Sequence, residues 1–295
     1  MVRLATPKNQ QAWGRTNHDT RTTGARIMSR TYERIASRLV GTPLQGAAEQ
    51  VRHLKTAWQI HREPDLRKVL SEGRLTTRLM KHYIRRDMNC VDVGCHLGVM
   101  LHQITTLAPD GCHHAFEPVP YKAEWLRRKF PSAVIHEMAL SDHGSADAFF
   151  VDETSSARSA LRPVDRDHSL SSIKVETRRL DDVLPEDLTV GFVKIDAIGA
   201  ELLVMQGAER IIKRDRPVVL FECSHAILAA FELTPADIYD YVVGQLGYQL
   251  FSLHGWANNH GPLDLAHLEI ALVWPYEAFN YVALPPGAPA ARPTA

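Results

Sequence analysis

The sequence predicts an α/β protein built on a doubly wound, mostly parallel sheet. From Asn89 onward, short apolar segments alternate with segments whose apolar residues recur at helical spacing. The first apolar segment, Cys90–Val93, leads into a turn that carries Gly94 and Gly98 and then into a helix-like segment. Strand–helix alternation with turns of this kind favours parallel strands whose ligands bind at the carboxyl edge of the sheet.

The elements of this sheet can be assigned in order along the chain. The segments predicted as parallel strands are short and mostly apolar: Cys90–Val93, Cys112–Phe116, Ala133–Met138, Gly191–Ile195 and Pro217–Phe221. The segments predicted as helices have apolar residues three and four positions apart: Leu97–Leu107, Pro120–Phe130, Ala200–Ile212 and Pro235–Leu246. Two more strands are expected after the last helix, at Tyr248–Leu253 and Leu268–Val273, and the second is expected to close the sheet antiparallel.

An insertion interrupts the alternation in the middle of the sheet. Ala148–Val151 and Ile173–Thr177 are expected to form an extra hairpin-like pair, joined by a polar loop from Glu153 to Ser172. A loop of this length inside a compact domain is usually functional or disordered. Within it, Ser155–Ser159 form either a lid over a substrate or part of a surface loop.

The composition divides the chain into four parts. Residues 1–25 are polar and basic and are expected to form a disordered arm, and residues 26–87 carry the apolar spacing of a helical segment. Residues 88–283 form the α/β domain, and residues 284–295 form a tail rich in proline and alanine. The N-terminal helices either cover the domain or form one wall of a substrate pocket.

Length, charge and cysteine content exclude several classes of protein. The 295 residues carry a formal net charge of zero, so a broad nucleic-acid surface is not expected. No apolar run is long enough for a transmembrane helix, and the N-terminus lacks the apolar core of a secretory signal. The four cysteines show no metal-binding spacing and fit reduced thiols in a cytoplasmic protein. The oligomeric state is not predictable.

Acidic residues at two strand ends point to a ligand with a ribose. Asp92 lies two residues before Gly94, and Glu117 follows the second strand. In doubly wound folds, an acid at the end of the second strand accepts hydrogen bonds from both ribose hydroxyls. The alternatives are that Asp92 forms the turn and that Glu117 caps the next helix.

The spacing of the glycines narrows the ligand further. A dinucleotide site needs G-x-G-x-x-G, but His96 and Val99 occupy the second and third glycine positions after Gly94. The spacing G-x-x-x-G, from Gly94 to Gly98, favours an adenosyl ligand without phosphates over NAD. S-adenosylmethionine meets that description.

Two further strand ends supply candidates for a general base. Asp196 follows the fourth strand, and Glu222 follows the fifth, with His225 three residues later. Acids collected at one sheet edge repel one another unless cations bind there, and a sulfonium ligand would supply positive charge. Asp196 and His225 are the candidate bases, although Asp196 could instead position a ligand and His225 could be a surface or capping residue. A metal site is not expected, because neighbouring histidines on a strand point to opposite faces.

Five stretches of the sequence resemble the FkbM-type S-adenosylmethionine-dependent methyltransferases. In order they are Val91 to Gly98, Phe116-Glu117-Pro118, Ala139-Leu140-Ser141-Asp142 with Gly144, Arg179 to Leu184, and Lys194-Ile195-Asp196 through Gly199-Ala200-Glu201 to Gly207-Ala208. The ending Phe279-Asn280-Tyr281-Val282 is also similar. The resemblance implies a Rossmann-like class I methyltransferase sheet with the last strand antiparallel and O-methylation of a hydroxyl on a sugar, glycolipid or secondary metabolite. It implies these cofactor-binding residues: Asp92, Gly94, Cys95, His96, Gly98, Glu117, Ala139 and Asp196.

Two departures from the family pattern leave other functions open. Gly94-Cys95-His96 stands where the family commonly has Gly-Ala-Asn, and Ile198 replaces a common carboxylate. The resemblance implies that the acceptor is a small molecule or glycan. The replacement at Ile198 leaves a catalytically impaired cofactor-binding scaffold as an alternative. A nucleic-acid methyltransferase is a weaker one, because no Asp-Pro-Pro-aromatic run follows the fourth strand.

Overall fold

The structure is a computed structural model that describes residues 38–42, 67–152, 159–163, 170–273 and 276–289. The predicted arm at 1–25, most of the helical segment before residue 67, and the end of the tail lie outside these residues. Within the described ranges, the helices are all too short or too polar to cross a bilayer.

A seven-stranded sheet forms the centre of the domain. Its strands, from one edge to the other, are β3 (Ala133–His136), β2 (His113–Phe116), β1 (Cys90–Val93), β7 (Phe192–Ile195), β8 (Val218–Glu222), β10 (Asn280–Leu284) and β9 (Gln249–Ser252). The pairs from β3 to β8 are parallel, whereas β10 runs antiparallel to both β8 and β9. This arrangement confirms the α/β class and the single reversed strand.

Helices connect and cover these strands. They are α1 (Arg67–Tyr83), α2 (Val99–Leu107), α3 (Pro120–Lys129), α4 (Leu180–Val183), α5 (Glu201–Gly207), α6 (Glu209–Asp215), α7 (His225–Ala230), α8 (Pro235–Tyr239), α9 (Leu253–Ala257) and α10 (Leu265–Ala271). A π-helical turn, Asp240–Gln245, continues α8. The predicted helix over 200–212 divides into α5 and α6 at Ala208.

The prediction of a strand at Leu268–Val273 is wrong, because this segment lies mostly in α10. Leu268 and Leu272 are buried and Ile270 is 65% exposed, which is helical spacing, although alternate apolar residues also suit a strand. The Asp264 carboxylate caps α10 by accepting a hydrogen bond from the His267 N–H at 2.8 Å. The reversed strand is instead β10, and it includes Leu284, the first residue of the predicted tail.

The insertion forms a second, three-stranded sheet beside the first. Its strands are β4 (Ala139–Leu140), β5 (Ser145–Asp152) and β6 (Leu170–Arg178), and β5 and β6 pair antiparallel as predicted. Residues 170–172 belong to β6 rather than to the polar loop. Ala160 forms an isolated bridge with Phe150, which holds residues 159–163 against the outside of β5.

Helix α1 packs against the sheet at the reversed strand. Its Glu72 carboxylate is buried and accepts the Phe279 N–H at 3.0 Å, the Asn280 N–H at 3.0 Å and the Asn280 side-chain amide at 2.8 Å. Burial raises the pKa of Glu72 to about 7, against the lowering effect of these three donors. Leu79 and Met80 of the same helix have no exposed surface. These contacts support a covering role for the described part of the N-terminal segment.

Candidate functional site

A cavity of about 140 Å³ opens at the carboxyl ends of β1, β2 and β7. The second sheet and residues 159–163 form its outer wall. Its lining combines strand-end loops with apolar side chains: Val93, Gly94, His96, Phe116, Glu117, Pro118, Lys122, Met138, Ala139, Leu140, Phe149, Ser159, Leu161, Asp196, Ala197 and Ile198. Ligands of doubly wound sheets bind at this edge, so this cavity is the candidate site.

The turn after β1 is pressed against the turn after β7. Gly94 has a φ of 70°, in the left-handed region, and its N–H donates to the Phe116 carbonyl at 3.0 Å. A Cβ at this position would lie 1.9 Å from the Asp196 carbonyl oxygen. Glycine is therefore required here both by conformation and by space.

Substituting Gly94 should destabilise the fold. We expect Gly94→Ala to lower the free energy of unfolding by about 2–3 kcal/mol, because the backbone must shift and a left-handed alanine is strained. Denaturant unfolding measures this value. Gly244→Ala is the matched control, because no atom lies within 4 Å of the added methyl group. An equal loss in both variants would contradict the close approach of the two turns.

The Glu117 carboxylate lies at the floor of the cavity. It is 4% exposed, and its oxygens accept the His96 N–H at 2.9 Å and the Val119 N–H at 3.0 Å. Burial raises the pKa of Glu117, while the Lys122 charge and these donors act in the opposite direction. Each carboxylate oxygen has a further lone pair, so the group can still accept two hydrogen bonds from a ligand.

Asp92 lies beneath the cavity rather than in its lining. It has no exposed surface, and within the described residues neither of its carboxylate oxygens has a hydrogen-bond partner. Its nearest charge is the Lys194 ammonium, 3.5 Å from Oδ1. Burial raises the pKa of Asp92, and Lys194 opposes that effect. The structure therefore connects Asp92 to the site through Lys194.

Lys194 joins the turns that follow β1 and β7. Its Nζ donates to the Val93 and Gly94 carbonyls at 3.3 and 3.1 Å and lies 3.2 Å from Asp196 Oδ2. Burial alone would lower the pKa of Lys194, but the Asp196 and Asp92 carboxylates outweigh it and raise the pKa. Lys194 is therefore a buried cation that neutralises acids from two neighbouring strands.

Asp196 reaches the cavity, and Glu201 shapes the turn beside it. The Asp196 side chain is 37% exposed. Glu201, which is 1% exposed, accepts the Ala197 N–H at 3.0 Å and the Gly199 N–H at 2.8 Å. Burial raises the pKa of Glu201 to about 8, and the Asp196 charge adds to that effect. The sequence names Glu201 only as part of a motif and gives no sign of this bracing role.

The other predicted site residues divide into two sets. His96 and Ala139 line the cavity with Gly94, Glu117 and Asp196. Cys95 and Gly98 are buried behind the turn, and burial raises the pKa of the Cys95 thiol well above its usual value. His225 is exposed at the start of α7 and is not among the residues that line the cavity.

Ile198 lines the cavity in a strained conformation. Its φ of 45° lies in the left-handed region, which β-branched residues rarely adopt. The next residue, Gly199, also has a positive φ, and a Cβ there would lie 2.5 Å from the Phe231 ring. The carboxylate expected here from the family pattern is replaced by an apolar side chain.

Relieving this strain should stabilise the protein. We expect Ile198→Gly to raise the free energy of unfolding by about 0.5–1 kcal/mol, because the strain relieved exceeds the entropy that glycine adds to the unfolded chain. Thermal unfolding at fixed pH measures the change. The control is Ile173→Gly, in strand β6, which has no positive φ to relieve and should destabilise. A loss of stability in Ile198→Gly would contradict the strain.

The neighbouring histidines of β2 point to opposite faces of the sheet. His113 Nε2 contacts the Ala108 carbonyl at 2.7 Å, whereas His114 Nδ1 lies 3.0 Å from His136 Nε2. Burial and then the His136 charge lower the pKa of His114 to about 4. In the part of the chain that the structure describes, no group of three His, Cys, Asp or Glu residues is arranged to hold a metal ion.

The strand order, the single reversed strand and the cavity with an acid at the end of β2 are typical of the Rossmann-like methyltransferase fold. The chain belongs to the FkbM methyltransferase family, because residues 92–250, over half of its length, match the Methyltransferase FkbM domain. The match begins at Asp92, within β1, and includes Glu117 and Asp196. Comparison with curated proteins gave no match.

Solved structures of methyltransferases are similar to this chain at low identity. A methyltransferase FkbM from Methylobacillus flagellatus KT is 15% identical, with a TM-score of 0.44, over 68% of this chain and 44% of that one. This chain therefore spans less than half of that relative's length. A precorrin-6y C5,15-methyltransferase from Geobacter metallireducens GS-15 is 12% identical, with a TM-score of 0.35, over 60% and 72% of the two chains. The plantazolicin methyltransferase BpumL, solved with a monoazolic desmethylPZN analog and SAH, is 9% identical, with a TM-score of 0.40, over 87% and 99%.

Proposed function

We propose that this protein transfers a methyl group from S-adenosylmethionine to a hydroxyl on a small molecule or glycan. The observation that carries the proposal is the position of Glu117, whose buried carboxylate faces a cavity at the ends of β1 and β2. Family membership supports the transfer of a methyl group. Four free thiols, three of them buried, support a reducing compartment such as the cytoplasm.

The residues of the cavity fit an adenosyl ligand. The Glu117 carboxylate has capacity for the two ribose hydroxyls, and Met138, Ala139 and Leu140 offer an apolar wall for a flat base. The half-buried His96, in the turn after β1, can donate a hydrogen bond to a ligand carboxylate. When bound, S-adenosylmethionine supplies a methyl group already activated on a sulfonium.

Asp196 is our candidate for the group that receives the acceptor's proton. It lines the cavity, and Lys194 holds its Oδ2 at 3.2 Å, which fixes the carboxylate relative to the turn after β1. Holding the acceptor oxygen in line with the methyl group is worth about 7–11 kcal/mol in well-oriented systems. Proton removal by a positioned base adds about 10²–10⁴ in rate. His225 is the weaker candidate, because it lies outside the lining of the cavity.

The second candidate function is a scaffold that binds the cofactor without turnover. Ile198 motivates it, because this residue presents an apolar side chain to the cavity where the family commonly has a carboxylate. A nucleic-acid acceptor has less support, since the chain has no net charge to attract phosphates.

Methyl-labelled cofactor tests these functions directly. The purified protein is incubated with labelled S-adenosylmethionine and separate pools of hydroxylated metabolites, glycans, glycolipids and nucleic acids. We expect label in a hydroxylated pool, and we expect Asp196→Asn to remove most of it. Label in nucleic acid alone would overturn the hydroxyl proposal, and cofactor binding without label in any pool would favour the scaffold.

A further inference from the structure

In the part of the chain that the structure describes, four carboxyl groups lie near the buried Lys194 ammonium at the edge of the sheet next to the cavity. Asp92, Asp196 and Glu222 interact with Lys194, and Glu201 interacts with Asp196 and Glu222; we name these five residues the strand-end cluster. If all four acids were ionised, the strand-end cluster would carry three uncompensated negative charges. Carboxylates this close together in a partly buried place do not all stay ionised. One or more of the acids therefore takes up a proton.

Strand pairing decides which acid lies next to Asp196. In the parallel pair β7–β8, Ile195 lies opposite Phe221, so the next residues, Asp196 and Glu222, are neighbours at the ends of the two strands. This register brings the Glu222 carboxyl group within reach of Asp196, whose charge and hydrogen bond both raise the pKa of Glu222. Two carboxyl groups share a hydrogen bond only when one of them carries a proton. The Lys194 ammonium lies 3.2 Å from Asp196, so the negative charge of the pair is best kept on Asp196.

The surroundings of Glu222 also favour its protonated form. Burial raises the pKa of Glu222 well above its usual value, and the Asp196 and Glu201 charges add to that effect while Lys194 opposes it. On the other side, Glu222 pairs with Asn280 of β10, whose side-chain amide is held by the Glu72 carboxylate of α1. The Asn280 amide is therefore engaged by Glu72.

We propose that Glu222 is a positioning residue, which keeps its proton at neutral pH and donates it to the Asp196 carboxylate. This proposal rests on the proposed function, in which Asp196 faces the acceptor. Lys194 and Glu222 then hold Asp196 from two sides, so that it stays ionised and directed into the cavity. Ionisation of Glu222 at higher pH would replace an attractive contact by repulsion and displace Asp196.

The proton on Glu222 can be measured without cofactor or acceptor. The infrared spectrum of the free protein is recorded at pH 7 for wild type, Glu222→Gln and Glu269→Gln, the last being an exposed glutamate on α10. We expect Glu222→Gln to lose the carbonyl absorbance of one protonated carboxyl group and Glu269→Gln to lose none. Equal spectra in wild type and Glu222→Gln would overturn the proposal, whether or not the protein transfers methyl groups.

The positioning role is read from the pH profile and from kcat. We expect wild-type kcat to fall as pH rises through the pKa of Glu222, whereas Glu222→Gln, which keeps a donor but cannot ionise, stays active to higher pH.

Glu222→Leu should lower kcat about tenfold with little change in the KM for S-adenosylmethionine, because only the acceptor side is disturbed. A residue with only a structural role would leave the pH profile of Glu222→Gln unchanged, and that result would overturn the proposal. Loss of methyl transfer from every variant and from wild type would instead overturn the proposed function, and the infrared result would still decide where the proton lies.

Discussion

Glu117→Ala is expected to weaken binding of S-adenosylhomocysteine by about 100-fold or more, since two hydrogen bonds to a charged group each contribute about 1.5–3 kcal/mol. The carboxylate lies at the floor of the cavity and already holds the turn after β1 through the His96 N–H. Its loss is therefore expected to remove the proposed ribose acceptor and to loosen the turn that faces the cavity. Calorimetric titration of the purified variant measures the change.

Two further variants separate these effects. Glu117→Gln keeps one acceptor oxygen and the shape of the side chain, so its affinity should lie between those of wild type and Glu117→Ala. Glu137→Ala, which removes an exposed glutamate paired with Arg127 at 3.0 Å, should bind like wild type. Wild-type affinity in a folded Glu117→Ala variant would place the ribose elsewhere.

Lys194→Met is expected to lower the free energy of unfolding by about 3–5 kcal/mol, the usual cost of removing one partner of a buried ion pair. Asp92 would lose the one cation that pairs with it among the described residues, and it has no exposed surface. This loss of unfolding free energy should be largest near neutral pH. Because the folded-state pKa of Asp92 is raised, its proton returns as pH falls, and a neutral Asp92 no longer needs the cation.

The matched control is an exposed lysine in the same kind of pair. Lys213 is paired with Glu209 one turn away on α6, and both side chains are well exposed. Lys213→Met should cost about 0.5 kcal/mol or less, with little dependence on pH. Denaturant unfolding of both variants between acid and neutral pH makes the comparison. A deficit in Lys194→Met that stays constant across this range would contradict its pairing with Asp92.

The sequence was sufficient for the parallel part of the sheet but not for its reversed strand. The β1 segment and its glycine turn are local signals, because a buried strand requires apolar residues and a left-handed turn at position 94 requires glycine. Leu268, Ile270 and Leu272 fit both a strand and a helix over so short a span. Contacts with distant segments decide between them, and no local pattern records those contacts.

The candidate site was predictable where strand ends determine it. Gly94, Glu117 and Asp196 line one cavity because parallel strands bring their carboxyl ends together. The role of Lys194 could not be assigned, since it depends on an acid and two carbonyls from β1 and the turn after it and on a second acid that follows β7. An uncompensated lysine inside a buried strand was nevertheless a signal that a partner existed.

The sequence analysis also missed the wall of the cavity and misplaced the histidine after β8, for a second reason. Phe149 and Leu161 come from the second sheet and its loop, whose docking is a tertiary contact without a sequence pattern. His225 follows β8 by three residues, but α7 begins there and places it on the exposed side. Distance along the chain from a strand end therefore does not measure distance from the cavity.

The central claim is that this cavity binds an adenosyl ligand without phosphates. The most direct test is calorimetric titration of the wild-type protein with S-adenosylhomocysteine and, in parallel, with NAD. We expect micromolar affinity for S-adenosylhomocysteine and no measurable heat with NAD, since the turn after β1 lacks the second and third glycines of a dinucleotide site. Binding of NAD alone, or of neither ligand to the folded protein, would contradict the claim.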